Sequence, residues 1–253
     1  MEFSSQVKKQ KKSRNCEIIA QIVGILLFVS AFIWTTRLFR ADILEALGEK
    51  FLLYETVFFG IVIIGIFWAL QYAFKKRWKI EKIFLICYIP CSLLMLCAMP
   101  VTRVPDEGAH LIQSYLISSG QFIPQKNIPF FLPENIREGL RGVNLTINDL
   151  VSMSKLNLSE NLIGEETNSN TAIYPINSYF PQAFGMALAH AFTNNRMVIL
   201  YAGRIASWLC SLLLFYYAIK VTPKGKGILF MLFMMPMTRQ EAISLSADGM
   251  TIG

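Results

Sequence analysis

Apolar positions in this chain fall into long uninterrupted blocks rather than into a two-residue or 3.6-residue alternation. The first block covers residues 17–36, with IIAQIVGILLFVSAFIWT at its heart, and the second covers residues 51–74, broken only by Glu55 and Gln71. The third, residues 83–100, has no charged residue, and the fourth, residues 197–219, has one, Arg204. A helix needs roughly 20 apolar residues to cross about 30 Å of hydrocarbon, so each block reads as a transmembrane helix. Strands are excluded for these segments, because an open sheet leaves its backbone hydrogen bonds unsatisfied in lipid.

A fifth block is shorter. GILFMLFMMPM, residues 227–237, runs out in TRQEAISLSADGM, so a helix continued over residues 227–253 carries Arg239, Gln240, Glu241, Ser244 and Asp248 in its outer half. Pro236 predicts a break there. Polar groups at such a depth are tolerated only where protein buries them or a cavity receives them. The fold class expected is an all-α polytopic integral membrane protein of about five transmembrane helices with one large mixed outer loop.

Composition agrees with that pattern: 54% of the 253 residues are hydrophobic, 16% are charged, and mean hydropathy is +0.44. Charge then sets an orientation. The tail over residues 1–16, the connection KKRWKIEK and the segment KVTPKGK hold 13 of the 24 Lys and Arg residues. By the positive-inside rule these three face the cytoplasm, which places the loop over residues 101–196 outside a plasma membrane. The first block exceeds a signal-peptide core and no small-x-small cleavage site follows it, so it is expected to stay attached. The outer loop holds six basic against eight acidic residues, so the net charge of +7 sits at the inner edges. Anionic lipid headgroups are the partner this implies, and no nucleic acid is.

Within the outer loop, PDEGAHLIQSYLISSG reads as a helix with Asp106 as its cap, Glu107 in its first turn and Gly120 at its end. The polar stretch over residues 121–170 contains a short amphipathic piece, PENIREGLRG, and two glycosylation sequons, at Asn144 and Asn157. YPINSYFPQAFGMALAHAF then returns to the membrane, its Tyr174, Tyr179 and Phe180 suited to headgroup level and residues from Pro181 onward to a short interfacial helix that carries His190. Cys87 and Cys91 share a helix face, which is packing rather than a metal site; no cysteine lies in the outer loop, so disulfides are not expected.

Asp106, Glu107 and His110 can converge, because i, i+3 and i, i+4 positions share a helix face. Capping alone explains Asp106, and Glu107 beside the helix N-terminus is favourable without any chemistry. Glu107 and His110 also form a Glu-x-x-His pair that offers two ligands to a divalent ion, too few for a closed site. Arg204 inside a span either reaches the nearby interface or meets a partner or cavity.

Four segments in order, RVPDEGAH, YPINSYFPQ, YAGRIAS and MMPMTRQEAISLSAD, resemble a family of predicted bacterial polytopic membrane proteins of unknown function, itself thought to be related to the GT-C fold of membrane glycosyltransferases. The resemblance covers roughly residues 100–253 and implies a partial GT-C-like architecture. It implies transfer of a sugar from a polyprenyl-phosphate donor at the outer face, with Asp106 and Glu107 as the acidic, catalytic motif. His110, Tyr174, Arg204, Arg239 and Asp248 are the residues expected to contact substrate. A carboxylate there takes the proton of an attacking hydroxyl, and an arginine holds the departing phosphate. The sequence by itself implies no cofactor beyond the possibility of a divalent cation. GT-C enzymes place this acidic loop after their first span rather than their third and continue through several more helices. The chain is therefore expected to be the first part of a larger transferase-like protein or to need a partner membrane subunit. An exporter of lipid-linked glycan and a noncatalytic assembly subunit are the alternative functions.

Overall fold

The computed structural model describes residues 57, 60–62, 64–73, 75–121, 129–136, 138, 152–166 and 174–252. The expected span over residues 17–36 and the sequon at Asn144 lie outside them. The chain divides into two compact units, Met1–Phe67 and Trp68–Gly253. Only residues 57, 60–62 and 64–67 of the first are described, and all of them are helical.

Helix α1, Gly60–Ala73, is apolar but short. Helices α2, Ile80–Ala98, and α5, Arg196–Val221, are each long and apolar enough to cross a membrane. The blocks at residues 83–100 and 197–219 fall on these two. Their facing sides share a core of Phe84, Tyr88, Leu96, Trp208, Leu212 and Phe215. One polar link crosses it: the Trp208 indole donates to Ser92 Oγ at 2.8 Å. Small hydroxyl residues commonly serve this way between apolar helices.

The expected fifth helix is three short ones. Helix α6, Lys226–Met234, ends where Met235 turns extended, and Pro236 opens α7, Pro236–Ala242. Proline has no N–H to lose at a first turn, so the break expected at Pro236 falls at a helix start. Residues 243–247 then run unwound to α8, Asp248–Ile252. That segment is buried, and three of its backbone groups are paired with side chains from other helices. Gln182 donates to the Ser246 carbonyl at 2.8 Å, Ser114 Oγ to the Leu245 carbonyl at 3.3 Å, and the Leu245 N–H to Glu107 at 3.1 Å.

Between α2 and α5 lie α3, Glu107–Ser118, and α4, Phe180–His190. Gly120 ends α3 as expected. Its left-handed φ of 85° lets its N–H reach Ile117 while Gln121 N–H reaches Leu116, the paired closure of a Schellman motif. The connection also contains strand within the loop expected to be mixed: β1, Pro129–Pro133, pairs antiparallel with β2, Leu162–Glu166. This sheet and the turn after β1 are tied to the start of α5. Asn135 side-chain groups bond the Asn157 carbonyl and the Ser159 N–H, both at 2.8 Å, and the buried Arg196 donates to the carbonyls of Asn135 and Glu138. Of PENIREGLRG, residues 134–136 form a turn. Asn157, the second sequon, is exposed.

Candidate functional site

The turn from α2 into α3 is drawn inward by one carboxylate. Glu107 is 0% exposed and faces Arg204, also 0% exposed, in a two-pronged ion pair: Arg204 Nε to Oε1 at 2.7 Å and Nη2 to Oε2 at 2.6 Å. The Thr102 N–H adds a bond to Oε2 at 2.6 Å, and the Leu245 N–H adds one to Oε1. Arg204 gives two further donors to the Pro100 carbonyl, at 2.9 Å, and to that of Met99. A buried ion pair survives desolvation only with good geometry and with its other lone pairs and protons satisfied, and both conditions hold here. The pair knots four segments together: the end of α2, the start of α3, the third turn of α5 and the unwound stretch after α7. Of the two readings left open for Arg204, the structure supports the buried partner.

The backbone leading into Glu107 is strained. Thr102 and Asp106 adopt left-handed φ values of 70° and 58°, conformations that few residues other than glycine occupy. Asp106 therefore occupies the cap position of α3 without capping it. Its carbonyl accepts the N–H groups of Ala109 and His110, yet its side chain makes no cap bond. A capping side chain needs extended backbone dihedrals to swing back over the first turn, and the left-handed residue directs its carboxylate elsewhere. Asp106 is exposed. Two adjacent carboxylates thus end in opposite environments.

One turn along α3, buried His110 places Nδ1 2.7 Å from the Tyr179 hydroxyl and its ring 5.2 Å from that of Tyr174. Tyr174 is hydrogen-bonded to Asp248, which first holds its phenol above the ordinary range, with charge repulsion from the same carboxylate adding to the effect. Burial lowers the His110 pKa, opposed by the negative charges of Asp248, Asp106 and Glu107. Asp248 takes a bond from Ser246 Oγ at 3.2 Å, and its own N–H donates to that oxygen at 3.1 Å. Glu241 lies within electrostatic reach of Asp248, Glu107 and Asp106.

Asp106, Glu107, His110, Tyr174, Arg204 and Asp248, far apart in sequence, are therefore gathered around the first turns of α3. Arg239 is not with them. It hydrogen-bonds Cys91 and bears on Tyr88, both on α2, because the break at Met235 turns this face of α7 towards that helix. Glu107 and His110 are committed to different partners, so their i, i+3 spacing makes no ligand pair. Among the described residues no group of three or more His, Cys, Asp or Glu converges to hold a metal. Sequence reasoning missed Tyr179, Gln182, Glu241 and Ser246 as members of the site. Their signal was present as polar residues inside the strings YPINSYFPQ and RQEAISLSAD, where the surrounding side chains are apolar.

No curated protein and no solved structure matches the chain. A family match does exist, and it covers residues 91–253, from the middle of α2 through the ion pair to the end of the chain, so that every residue of the cluster lies inside it. With two helices of spanning length and that match over more than half its residues, the chain belongs to the DUF2142 family of predicted membrane proteins.

Proposed function

We propose that the cluster at the head of α3 is the acceptor-activating part of a membrane glycosyltransferase that uses a polyprenyl-phosphate-linked sugar at the outer face of the plasma membrane. The N-terminus lies in the cytoplasm, as the basic segments imply. Asp106 is the base. Its carboxylate takes the proton from an acceptor hydroxyl as that oxygen attacks the anomeric carbon, and the bond from that carbon to the lipid phosphate breaks with its electron pair leaving on the phosphate. Glu107 shapes the site rather than reacting, since both of its oxygens are taken. Arg204 is wholly buried and gives four of its five N–H groups to Glu107, Met99 and Pro100, so it is not presented to a phosphate.

The observation that carries this reading is the exposed carboxylate of Asp106 on a strained backbone, beside a buried network that fixes the strain. Unfavourable backbone conformations cost about 1–3 kcal/mol and tend to cluster at working sites. The unwound stretch over residues 243–247 is the feature that an exporter would use for its path. Its bonds to Gln182, Ser114 and Glu107 favour a fixed scaffold instead.

Transfer from a radiolabelled polyprenyl-phosphate sugar, assayed with full-length protein in membranes, tests the proposal. Asp106→Asn and Asp106→Gly are expected to abolish transfer. Glycine relieves the left-handed strain, so its melting midpoint is expected to match or exceed the parent's. Wild-type transfer by both variants would sink the assignment. Wild-type transfer with labelled donor accumulating in the inner leaflet on loss of the protein would point to the exporter.

A further inference from the structure

Helix α4 and the turn that follows it present a row of large, exposed apolar side chains, with Ala187 and His190 of the helix exposed as well. Phe180, Phe184, Leu188 and Phe192 recur every fourth residue and are 59, 62, 53 and 85% exposed, while the opposite face, Gln182, Ala183, Gly185 and Met186, is buried. A patch of this size and character needs a cover.

What α4 packs on shows how it stands. A Cβ on Gly185 would collide with the Ala202 carbonyl and the Ala206 side chain, and one on Gly203 with the Met186 side chain, so the two helices touch backbone to backbone. The connection over residues 191–195 reaches at most about 18 Å, and α4 therefore folds back antiparallel along α5. Facing residues on such a hairpin have a nearly constant sum of numbers, about 388 from the contacts of Gly185 and Gly203. Phe180 then stands near the level of Trp208, roughly 18 Å along α5 from Arg196 at 1.5 Å per residue. The outward side chains of α5, Val198, Ile205, Leu209 and Leu213, are exposed and apolar over the same stretch. The stripe on α4 is continuous with the flank of a helix long enough to cross the membrane.

We infer that α4 enters the bilayer steeply, N-terminus deepest, with Phe180, Phe184, Leu188 and Phe192 against lipid acyl chains rather than lying flat at the interface. The occupant is lipid because the stripe has no charge and no hydrogen-bonding group, and because it extends the exposed flank of α5. It follows that Tyr179, the residue just before Phe180, holds His110 from the buried end of a half-helix. The inference depends on α5 crossing the membrane and not on sugar transfer, so failure of the transferase reading leaves it standing.

Single nitroxide labels measure the depth. With the five native cysteines replaced, Phe180→Cys, Phe184→Cys, Leu188→Cys and Phe192→Cys are labelled in the full chain, reconstituted in vesicles of phosphatidylcholine and phosphatidylglycerol. Accessibility to oxygen relative to a water-soluble nickel chelate is then read at each site. The expected result is an unbroken rise from position 192 to position 180, over an axial distance of about 18 Å. Equal, shallow values at all four sites would overturn the steep orientation, and low accessibility to both probes would show that protein covers the stripe. Should the cysteine-free chain fail to fold, Trp at the same four positions reads the same gradient as extra quenching by mid-chain brominated lipid over the parent protein. An absence of extra quenching there would equally refute lipid contact.

Discussion

Removing the Glu107 carboxylate tests the buried network directly. In Glu107→Ala the Arg204 guanidinium remains at 0% exposure with two carbonyl partners and no counter-charge, and the N–H groups of Thr102 and Leu245 lose their acceptor. Breaking one side of a buried pair costs about 3–5 kcal/mol. Each stranded N–H adds about 1–3 kcal/mol before relaxation, and because all of these groups surround one site their costs overlap rather than add. A loss of about 3–5 kcal/mol is therefore a floor. At roughly 2–4 °C per kcal/mol for a chain of this size, the melting midpoint is expected to fall by about 6–20 °C.

The assay is built into the protein. Cys87, Cys91 and Cys210 are free and half-buried, so with Cys16 and the exposed Cys97 replaced by serine a thiol-reactive fluorophore reports unfolding in detergent. The double variant Glu107→Leu with Arg204→Leu is expected to recover part of the loss, since no unpaired charge remains. It does not recover all of it, because the Met99 carbonyl and the N–H groups of Thr102 and Leu245 have lost the partners they had in the pair. A midpoint within about 2 °C of the parent for Glu107→Ala, or a double variant equal to the sum of the singles, would refute the reasoning.

Two further perturbations follow from the same structure. His110 has a folded-state pKa below its ordinary value of 6.5 because burial disfavours the cation. The unfolded chain then binds more protons, so stability is complete above pH 6.5, falls as pH drops through that value towards the folded pKa, and levels off below it. Melting curves of the parent are expected to show this decline and those of His110→Gln to lack it; parallel curves would remove His110 as the cause. Gly185→Ala places a methyl group against the Ala202 carbonyl and is expected to cost about 1–3 kcal/mol by overpacking. Gly227→Ala on α6 meets nothing within 4 Å and is expected to hold or raise the midpoint; equal behaviour of the two would argue against close α4–α5 contact.

What the sequence made legible is local. The Leu-rich block with one arginine became α5, Gly120 closed α3, and the break was expected at Pro236 and found there. The errors are all long-range. A Pro-Asp-Glu string at a helix start carries the pattern of a cap, and nothing within ten residues says that Arg204, 97 positions away, pulls Glu107 under and twists Asp106 out of capping geometry. The pairing of β1 with β2 was equally hidden, because about thirty residues separate the strands and β1 begins and ends in proline. Arg239 was grouped with the site because it shares a string with Asp248. Only the unwound residues between α7 and α8 put their side chains on different faces.

The two carboxylates also bear on how any functional experiment is read. Asp106 is exposed while Glu107 is buried against Arg204, so the two cannot both serve one substrate from neighbouring positions. If Glu107 were the base, its loss would remove activity and leave the fold intact. The bonds it accepts from Arg204, Thr102 and Leu245 predict the reverse order, with the turn disordered before any chemistry is lost. An inactive Glu107 variant therefore says nothing about catalysis unless its melting midpoint is unchanged. Asp106 carries no such burden, since neither its exposure nor its missing cap bond ties it to stability. Activity lost at position 106 with the fold retained is the one result that separates a working carboxylate from a structural one.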